Sequence, residues 1–314
     1  VQRFSDWCVY SALRLFEALV RALPPGAAPF LARAVGDAWF VVDGRRRQRA
    51  HANLEAVFPA LPVAERRHMI RRTFRNMALV PLEAIWLPRL MGTRRQMMAR
   101  VRFLGDFDES AALADARVPS ILFGGHLGNW EVGGQIVRVW PVPVRFMARP
   151  IANKGVDRHV QESRGGPGSV ITKRGALRAL VSSLRKGYWV GIVGDQNAGS
   201  RGPFVPFFGI EASTHAGAAV VAVREDVPFI ASACIRRPGA FMRFDAYMEV
   251  LDHPGGRDAP EDAPLKLTAR SMAALERWTR LAPDQYNWLH RRFKDAPPGE
   301  ADDARRPRYA PRGR

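Results

Sequence analysis

Beyond about residue 101, short apolar runs alternate with segments of helical periodicity, and Gly- or Pro-rich turns separate them. Apolar runs bounded by such turns predict buried β-strands. Strands that alternate with helices are typical of an α/β fold, in which helices cover both faces of a parallel sheet. We therefore predict a central, mainly parallel mixed sheet flanked by helices. The predicted strands are residues 101–104, 120–123, 142–147, 169–171, 189–193, 229–235 and 241–247, and the predicted helices are residues 129–139, 153–163, 176–186, 215–224 and 265–281.

The N-terminal region has a different, helical pattern. If residues 4–23 form a helix, its charged side chains fall within a sector of about 80°, and the remaining surface is apolar. This pattern suits a helix in a membrane interface or one packed in a core, and the charges disfavour a spanning helix. A second apolar segment, residues 30–42, leads into a basic cluster at residues 45–49. That cluster suits anionic headgroups, or equally the solvated start of a helix.

Two prolines and a change in composition set the remaining boundaries. Residues 63–90 predict one or two helices that Pro81 kinks or divides and Pro88 ends, and the basic residues 92–100 predict a connector. After Lys294 the chain is rich in Pro, Arg and Asp, which predicts disorder. The predicted organisation is an N-terminal helical membrane-associating region (1–100), an α/β core (101–294) and a disordered tail (295–314).

Charge narrows the class of partner. The 314 residues include 48 Lys and Arg against 30 Asp and Glu, a formal net charge of +18. This balance indicates an anionic partner, such as nucleic acid, an acidic membrane surface or an acidic carrier protein. We find no zinc-ligand spacing, helix-turn-helix signature or aromatic RNA-binding motif, which disfavours nucleic acid. Cys8 and Cys234 form no disulfide pattern and favour a reducing compartment.

The stretch from residue 120 to residue 131 combines a buried strand, several glycines, His126 and Glu131. Two positions five apart on one helix point about 140° away from each other, so both side chains would then miss a common site. If His126 precedes the helix, the Glu131 carboxylate can reach one ring nitrogen, fix the tautomer and leave the other nitrogen to accept a hydroxyl proton. Alternatively, His126 is a buried histidine bonded to the backbone, and Glu131 is a solvated helix residue.

Other polar residues follow predicted strands. Arg149 follows one strand and Arg164 lies in a Gly-rich stretch. A guanidinium in either place suits a phosphate or an oxyanion, unless both are surface arginines. Asp195 and Gln196 follow the strand at residues 189–193. The aromatic segment 204–209 is suited to contact an acyl chain or a membrane, or to fold over the core. No Walker loop, dinucleotide-binding fingerprint, H-E-x-x-H or G-x-S-x-G motif occurs.

Together these motifs resemble the late acyltransferases of lipid A biosynthesis, the lauroyl/myristoyl branch of the lysophospholipid acyltransferase superfamily. His126 and Glu131 match the H-x4-D/E signature of this family, and the likeness extends over residues 4–294. One departure is the segment Asn197-Ala198-Gly199, where the family has a polar or acidic residue after Asp-Gln. The further matches are residues 53–54, 58–59, 149–150, 164, 195–196, 204–209, 214 and 286–292.

The resemblance implies transfer of a fatty acyl chain from an acyl carrier protein thioester to a hydroxyl of a lipid A precursor, at the cytoplasmic face of the cell inner membrane. It implies no metal and no cofactor, because a thioester is already activated. His126 is then the general base, and Glu131 orients it. The alternatives are another glycolipid or phospholipid acceptor, and a non-catalytic basic protein that binds membrane or nucleic acid. The substrate-binding residues implied are Gly125, Asn129, Arg149, Arg164, Asp195, Gln196, Phe208, Gly209 and Thr214.

Overall fold

The computed structural model describes residues 2–166, 168–171, 175–239, 241–253, 255–256, 258–299 and 306–309. The strands are β1 (Val101–Gly105), β2 (Ile121–Gly128), β3 (Val144–Met147), β4 (Val170–Ile171), β5 (Trp189–Val193), β6 (Phe204–Phe207), β7 (Ile210–Ser213), β8 (Phe229–Arg236) and β9 (Phe244–Val250). The helices are α1 (Gln2–Ala22), α2 (Ala28–Val42), α3 (Gly44–Val57), α4 (Val63–Met91), α5 (Arg94–Met98), α6 (Phe107–Asp115), α7 (Trp130–Ile136), α8 (Lys154–Ser163), α9 (Ala176–Leu184), α10 (Gly217–Glu225) and α11 (Ala263–Leu281). Short 3-10 turns lie at Pro25–Ala27, Val137–Val139 and Pro283–Gln285.

The central sheet has the order β1-β9-β8-β2-β5-β3-β4 within the described residues. All neighbouring pairs are parallel except β8 and β9, which are antiparallel. The predicted mainly parallel mixed sheet is therefore confirmed. Strand β2 lies between β8 and β5, and apolar clusters cover both of its faces: Phe123 belongs to one cluster and Leu122 to the other. The carboxyl ends of the parallel strands meet at one edge, where α/β proteins place their ligands.

Helix α4 is continuous, although Pro81 and Pro88 lie inside it. A proline in a helix interior costs roughly 3 kcal/mol, because it removes a hydrogen bond and crowds the preceding turn. Ala78, Val80 and Leu82 are buried on both sides of Pro81, so packing offsets that cost. The helix is therefore not divided at Pro81, and it does not end at Pro88 as predicted but continues to Met91. The predicted connector at residues 92–100 contains the short helix α5, which Thr93 and Gln96 begin with a capping box.

The N-terminal helices expose apolar side chains. Helix α1 contacts α8, where the Glu17 carboxylate lies 2.7 Å from Nε2 of His159. Helix α2 is tied to α4 by Asp37, which accepts paired hydrogen bonds from Arg71 and Arg75. Among the helices of the described chain, none combines the length and apolar composition needed to cross a bilayer. The exposed large apolar residues of α1 and α2 include Phe4, Trp7, Val9, Leu15, Leu19, Phe30, Val41 and Val42.

The C-terminal segment extends back over the core. Although disorder is predicted after Lys294, the Arg306 guanidinium donates to the backbone carbonyls of Glu211 and Asp295. The Tyr309 hydroxyl donates to the side chain of Asn53. Residues 300–305 and 310–314 of the predicted tail lie outside the described residues.

Candidate active site

Strand β2 is longer than predicted and brings His126 to the ligand-binding edge of the sheet. It ends at Gly128, which has φ +64°, and a Cβ there would lie 1.9 Å from the carbonyl oxygen of Cys234. Only glycine fits such a position. Asn129 then begins α7 by accepting hydrogen bonds from the backbone amides of Glu131 and Val132. His126 thus precedes its helix, as predicted, but in the strand rather than in a turn.

The carboxylate bonded to His126 belongs to Asp195. The Nδ1 atom of His126 lies 2.6 Å from Oδ1 of Asp195, and the backbone amide of His126 donates to Oδ2 at 2.9 Å. Because a carboxylate only accepts, this contact assigns the proton to Nδ1 and the lone pair to Nε2. Asp195 follows β5, which is the direct neighbour of β2 in the sheet. The fixed tautomer is therefore the one that a general base requires.

Glu131 does not make the predicted hydrogen bond to His126. Its carboxylate instead accepts two hydrogen bonds from Arg164, at 3.0 Å from Nε and 2.6 Å from Nη2. The two hydrogen bonds fix the geometry of this ion pair, and both side chains are partly exposed at the cavity. Our prediction that Glu131 orients His126 is corrected on this point, because Asp195 makes the contact.

Electrostatics favour an ionised Asp195 beside a basic His126. Burial raises the pKa of Asp195, but the charge and hydrogen bonds of His126 outweigh it and lower the pKa to about 2. For His126, burial lowers the pKa, while the charge and hydrogen bond of Asp195, with the charge of Glu131, raise it above its ordinary value overall. Asp195 thus stays charged at neutral pH and strengthens the imidazole as a base.

The other ring nitrogen faces a polar neighbour. Nε2 of His126 lies 3.4 Å from the side-chain nitrogen of Gln196, and the Trp130 ring meets the imidazole edge to face at 4.8 Å between centroids. The 3.4 Å separation exceeds an ordinary N–H hydrogen-bond distance. A hydroxyl group at Nε2 therefore competes only with a weak contact.

A buried ion pair supports the β2–α7 turn from behind. Glu83 on α4 accepts hydrogen bonds from Asn129 at 2.7 Å and from Arg236 at 2.7 Å. Arg236 also donates to the carbonyl of Gly128 at 3.1 Å. Burial raises the pKa of Glu83, and the charge of Arg236 opposes that shift. Two residues from distant parts of the chain, Glu83 and Arg236, thereby fix the turn that follows His126.

The C-terminal segment closes the other side of the site. The backbone amide of Asn287 donates to the carbonyl of His126 at 2.9 Å, and Tyr286 pairs with Leu127 in an isolated bridge. Arg292 is fully buried, donates to the hydroxyl of Thr214 at 2.6 Å, and its charge lowers the pKa of Asp195. The contacts of Tyr286 and Asn287 hold the backbone around His126 from outside the sheet.

A cavity of about 640 Å³ opens beside His126. Most of its lining is apolar, and several of its polar groups, among them His126, Arg149 and Gln196, lie at or just after the carboxyl ends of β2, β3 and β5. One set of walls comes from the sheet and α7, and a second set comes from α9 and α10. A mostly apolar cavity with a few convergent polar groups is the usual form of a small-molecule site. The polar lining residues include His126, Glu131, Gln135, Arg149, Arg164, Gln196, His215, Ser232 and Tyr247.

The structure brings together only part of the predicted set. Gly125, His126, Glu131, Arg149, Arg164 and Gln196 line the cavity, whereas Asp195 and Asn129 are buried behind it. Phe208, Gly209 and Thr214 do not line it. Segment 204–209 belongs instead to a hairpin of β6 and β7, in which Phe207 and Phe208 pack against the core near Trp288 and Phe293. Of the alternatives for this aromatic segment, folding over the core is the one observed.

Sequence reasoning missed Glu83 and Arg236 as residues that support the site. Glu83 lies between Leu82 and Ile85 in an apolar part of α4, and an acidic residue in such a stretch is a signal of a buried partner. Within the described residues, no group of three His, Cys, Asp or Glu side chains is arranged to hold a metal ion.

Comparison with known proteins identifies the family. The family of bacterial lipid A biosynthesis acyltransferases matches residues 2–295. A lipid A biosynthesis palmitoleoyltransferase of Escherichia coli (strain K12) is 30% identical over 271 residues, which is 82% of this chain and 81% of the relative. A lipid A biosynthesis lauroyltransferase of the same organism is 27% identical over 263 residues, or 81% of each chain.

The match to a solved structure is more distant. The 1-acyl-sn-glycerophosphate acyltransferase PlsC from Thermotoga maritima aligns with a TM-score of 0.37 and 14% identity, over 81% of this chain and 98% of that chain. The family assignment comes from the sequence, since one family matches almost the whole chain. On that basis, the chain belongs to the bacterial lipid A biosynthesis acyltransferases.

Proposed function

We propose that this acyltransferase moves a fatty acyl chain from an acyl carrier protein thioester to a hydroxyl of a lipid A precursor, with His126 as general base. The observation that carries the mechanism is the 2.6 Å contact between His126 Nδ1 and Asp195, which directs the Nε2 lone pair away from the carboxylate. The names of the relatives, a palmitoleoyltransferase and a lauroyltransferase of lipid A biosynthesis, support a fatty acyl donor and this acceptor.

The proposed reaction has two proton transfers. Nε2 of His126 removes the proton of the acceptor hydroxyl while its oxygen attacks the thioester carbonyl carbon. The tetrahedral intermediate then collapses, the carbon–sulfur bond breaks, and the imidazolium returns the proton to the departing thiolate. Asp195 stays ionised throughout and stabilises the imidazolium. The products are the ester and the free thiol of the carrier protein, so no other reactant is needed.

Glu131 and Arg164 act in this proposal as a second functional pair. The two hydrogen bonds from Arg164 hold its guanidinium at the cavity, and the Glu131 charge raises the pKa of His126. Arg164 and Arg149 both line the cavity and carry charge suited to the acceptor phosphates or the oxyanion. Glu131 thus contributes to catalysis through its charge and through Arg164.

Surface properties support the proposed donor and location. A net charge of +18 attracts an acidic carrier protein and accelerates encounter in a salt-dependent manner. Helices α1 and α2 expose apolar side chains such as Trp7 and Phe30, and the basic residues 45–47 lie in α3, which follows α2 directly in the chain. This combination suits an anionic membrane interface. We infer attachment at the cytoplasmic face of the inner membrane.

The test is a transfer assay with purified protein, acyl carrier protein thioesters and a panel of lipid acceptors, with products identified by mass spectrometry. We expect acyl transfer to a lipid A precursor, reduced by about 10²- to 10⁴-fold in His126→Ala because the general base is lost. His68→Ala, which changes an exposed histidine on α4, is the matched control. Transfer only to other glycolipids or phospholipids would overturn the acceptor, and full activity of His126→Ala would overturn the mechanism.

A further inference from the structure

We propose that the part of the cavity between α7 and the sheet, here called the α7 lobe, measures the acyl chain, and that Phe146 sets its length. This inference rests on the proposed acyl transfer and names the residue that selects the substrate. The lobe is defined by Leu122, Gly134, Trp140, Phe146 and Gly191, all of which line the cavity.

Glycines line both the sheet side and the helix side of the lobe. Gly124 on β2 and Gly191 on β5 contribute no side chain on the sheet side, and Gly133 and Gly134 contribute none on the helix side. Two glycines in a seven-residue helix weaken it, at about 0.5–1 kcal/mol each. Such a sequence suits a helix that must lie close to the Phe146 ring and to Cys234 beneath it.

The depth of the lobe follows from strand register. Leu122 precedes His126 by four residues on β2, which corresponds to about 13 Å along a strand. Leu122 pairs with Gly191, and Gly191 pairs with Phe146 on β3, so these residues lie at one level of the sheet. Past this level, Trp140 packs against Trp189 with 5.6 Å between ring centroids. The lobe thus runs from the reactive imidazole to an aromatic end that is lined by Phe146 and Trp140.

Phe146 is seated between two glycines at that level. A Cβ on Gly191 would lie 2.7 Å from the phenyl ring, and a Cβ on Gly134 would lie 2.9 Å from it. Both distances are too short for carbon atoms in contact, which prefer about 3.5–4.0 Å. The ring therefore keeps this position only while both residues are glycine, and a methyl group on either one pushes it toward the lobe.

The side chains that line the lobe suit the binding of a hydrocarbon chain. Leu122, Val137, Phe146 and Met248 supply apolar walls, and Gln135 and Tyr247 are polar residues that also line the cavity. The Cys234 thiol also lines the cavity, and burial raises its pKa so strongly that it stays protonated. Polar lining groups such as Arg149 and Gln196 follow the strands at the opposite end. An extended acyl chain would then have its thioester at His126, near the polar groups, and its hydrocarbon chain along the apolar walls.

The experiment compares transfer of a series of saturated acyl carrier protein thioesters by wild type and variants. Phe146→Ala is expected to move the preferred chain to greater length, and Gly191→Ala and Gly134→Ala to smaller length. The relative kcat/KM of adjacent chain lengths should change on the order of tenfold per methylene that gains or loses its place. Phe146→Leu, which keeps the core filled, should shift the preference less than Phe146→Ala and in the same direction.

Phe58→Ala is the matched control, since Phe58 is a half-buried phenylalanine against Phe208 and Trp288 and does not line the cavity. It should keep the wild-type profile. Profiles of the Phe146 and glycine variants that superimpose on wild type would overturn the inference. Calorimetric binding of nontransferable thioether analogues of the same chains separates the two proposals. Length-dependent binding that Phe146→Ala shifts, without transfer by wild type, would contradict the proposed function alone.

Discussion

Around the turn between β2 and α7, charged side chains are buried and paired, whereas in α1 and α2 large apolar side chains are exposed. Glu83 and Arg236 are almost wholly inaccessible and bonded to each other, and Asp195 is bonded to His126. In contrast, Phe4 and Trp7 are more than half exposed. Buried charges are costly unless they are paired, so the first region is rigidly specified. Exposed apolar side chains contribute to the stability of a protein only when another surface covers them.

The comparison separates two tasks. The sheet and α4 fix the reacting groups by hydrogen bonds between parts of the chain that are far apart in sequence. The N-terminal helices leave apolar side chains exposed, which suits association with the apolar part of a membrane interface. Substitutions in the first region should therefore change catalysis and folding, and substitutions in the second should change location with little effect on folding.

The largest expected effect follows from breaking the buried pair. Glu83→Ala leaves the Arg236 guanidinium buried without its carboxylate and removes the acceptor for Asn129, which should lower the free energy of unfolding by about 3–5 kcal/mol. Chemical denaturation and a transfer assay measure the two consequences. Glu65→Ala, in the exposed first turn of the same helix, is the control. Equal stability of the two variants would remove the contrast between the regions.

A smaller effect is expected at the cavity mouth. Arg164→Gln removes both hydrogen bonds to Glu131 and a cation from the cavity, and kcat/KM should fall by about 10²-fold, as for loss of one preorganised donor. Arg164→Lys should recover little, because an ammonium cannot reproduce the paired geometry. Arg158→Gln, an exposed arginine on α8, should leave the rate unchanged. If Arg158→Gln and Arg164→Gln behave alike, general surface charge would explain the result.

The N-terminal helices should respond in a different assay. Trp7→Ser removes one exposed apolar side chain and should weaken binding to anionic vesicles by roughly tenfold, or about 1.4 kcal/mol, because a side chain at an interface is only partly buried. The unfolding midpoint should remain that of wild type. Val63→Ser provides the control, because Val63 is equally exposed but lies on α4. Loss of stability without loss of vesicle binding would show that α1 has a core role instead.

The smallest effect should come from salt. Raising the ionic strength from low to physiological values shortens the Debye length to about 8 Å and screens the basic surface. The kcat/KM for carrier protein thioesters should fall several-fold, whereas the unfolding midpoint should hardly change. A rate that is independent of salt would contradict electrostatic steering of an acidic donor.

Sequence periodicity predicted the α/β alternation, but it did not identify the partner of His126. Glu131 is five residues from His126, and Asp195 is 69 residues away. The choice between the two carboxylates depends on strand order, because β2 and β5 become neighbours only in the folded sheet. Local spacing contains no information about that order. The sequence therefore identified Glu131 and Asp195 as site residues, but it did not show which of them contacts His126.

The aromatic segment illustrates a second limit of local pattern. Phe208 and Gly209 both have positive φ, at 55° and 71°, and connect β6 to β7. Two-residue hairpin turns of this kind favour Asn-Gly or Asp-Gly, and a phenylalanine at the first position conceals the turn in the sequence. The cost of that conformation is met by packing, since Phe208 contacts Phe58 and Trp288.

The pH dependence of kcat/KM in wild type and Asp195→Asn tests the His126–Asp195 pair most directly. A general base must be neutral, so the rate should rise with pH through the pKa of His126, which lies above its ordinary value in wild type. Asp195→Asn removes the charge that raises this pKa. The inflection should therefore move to lower pH while the plateau falls by orders of magnitude. An unchanged inflection and plateau in Asp195→Asn, with both lost in Glu131→Gln, would contradict the account.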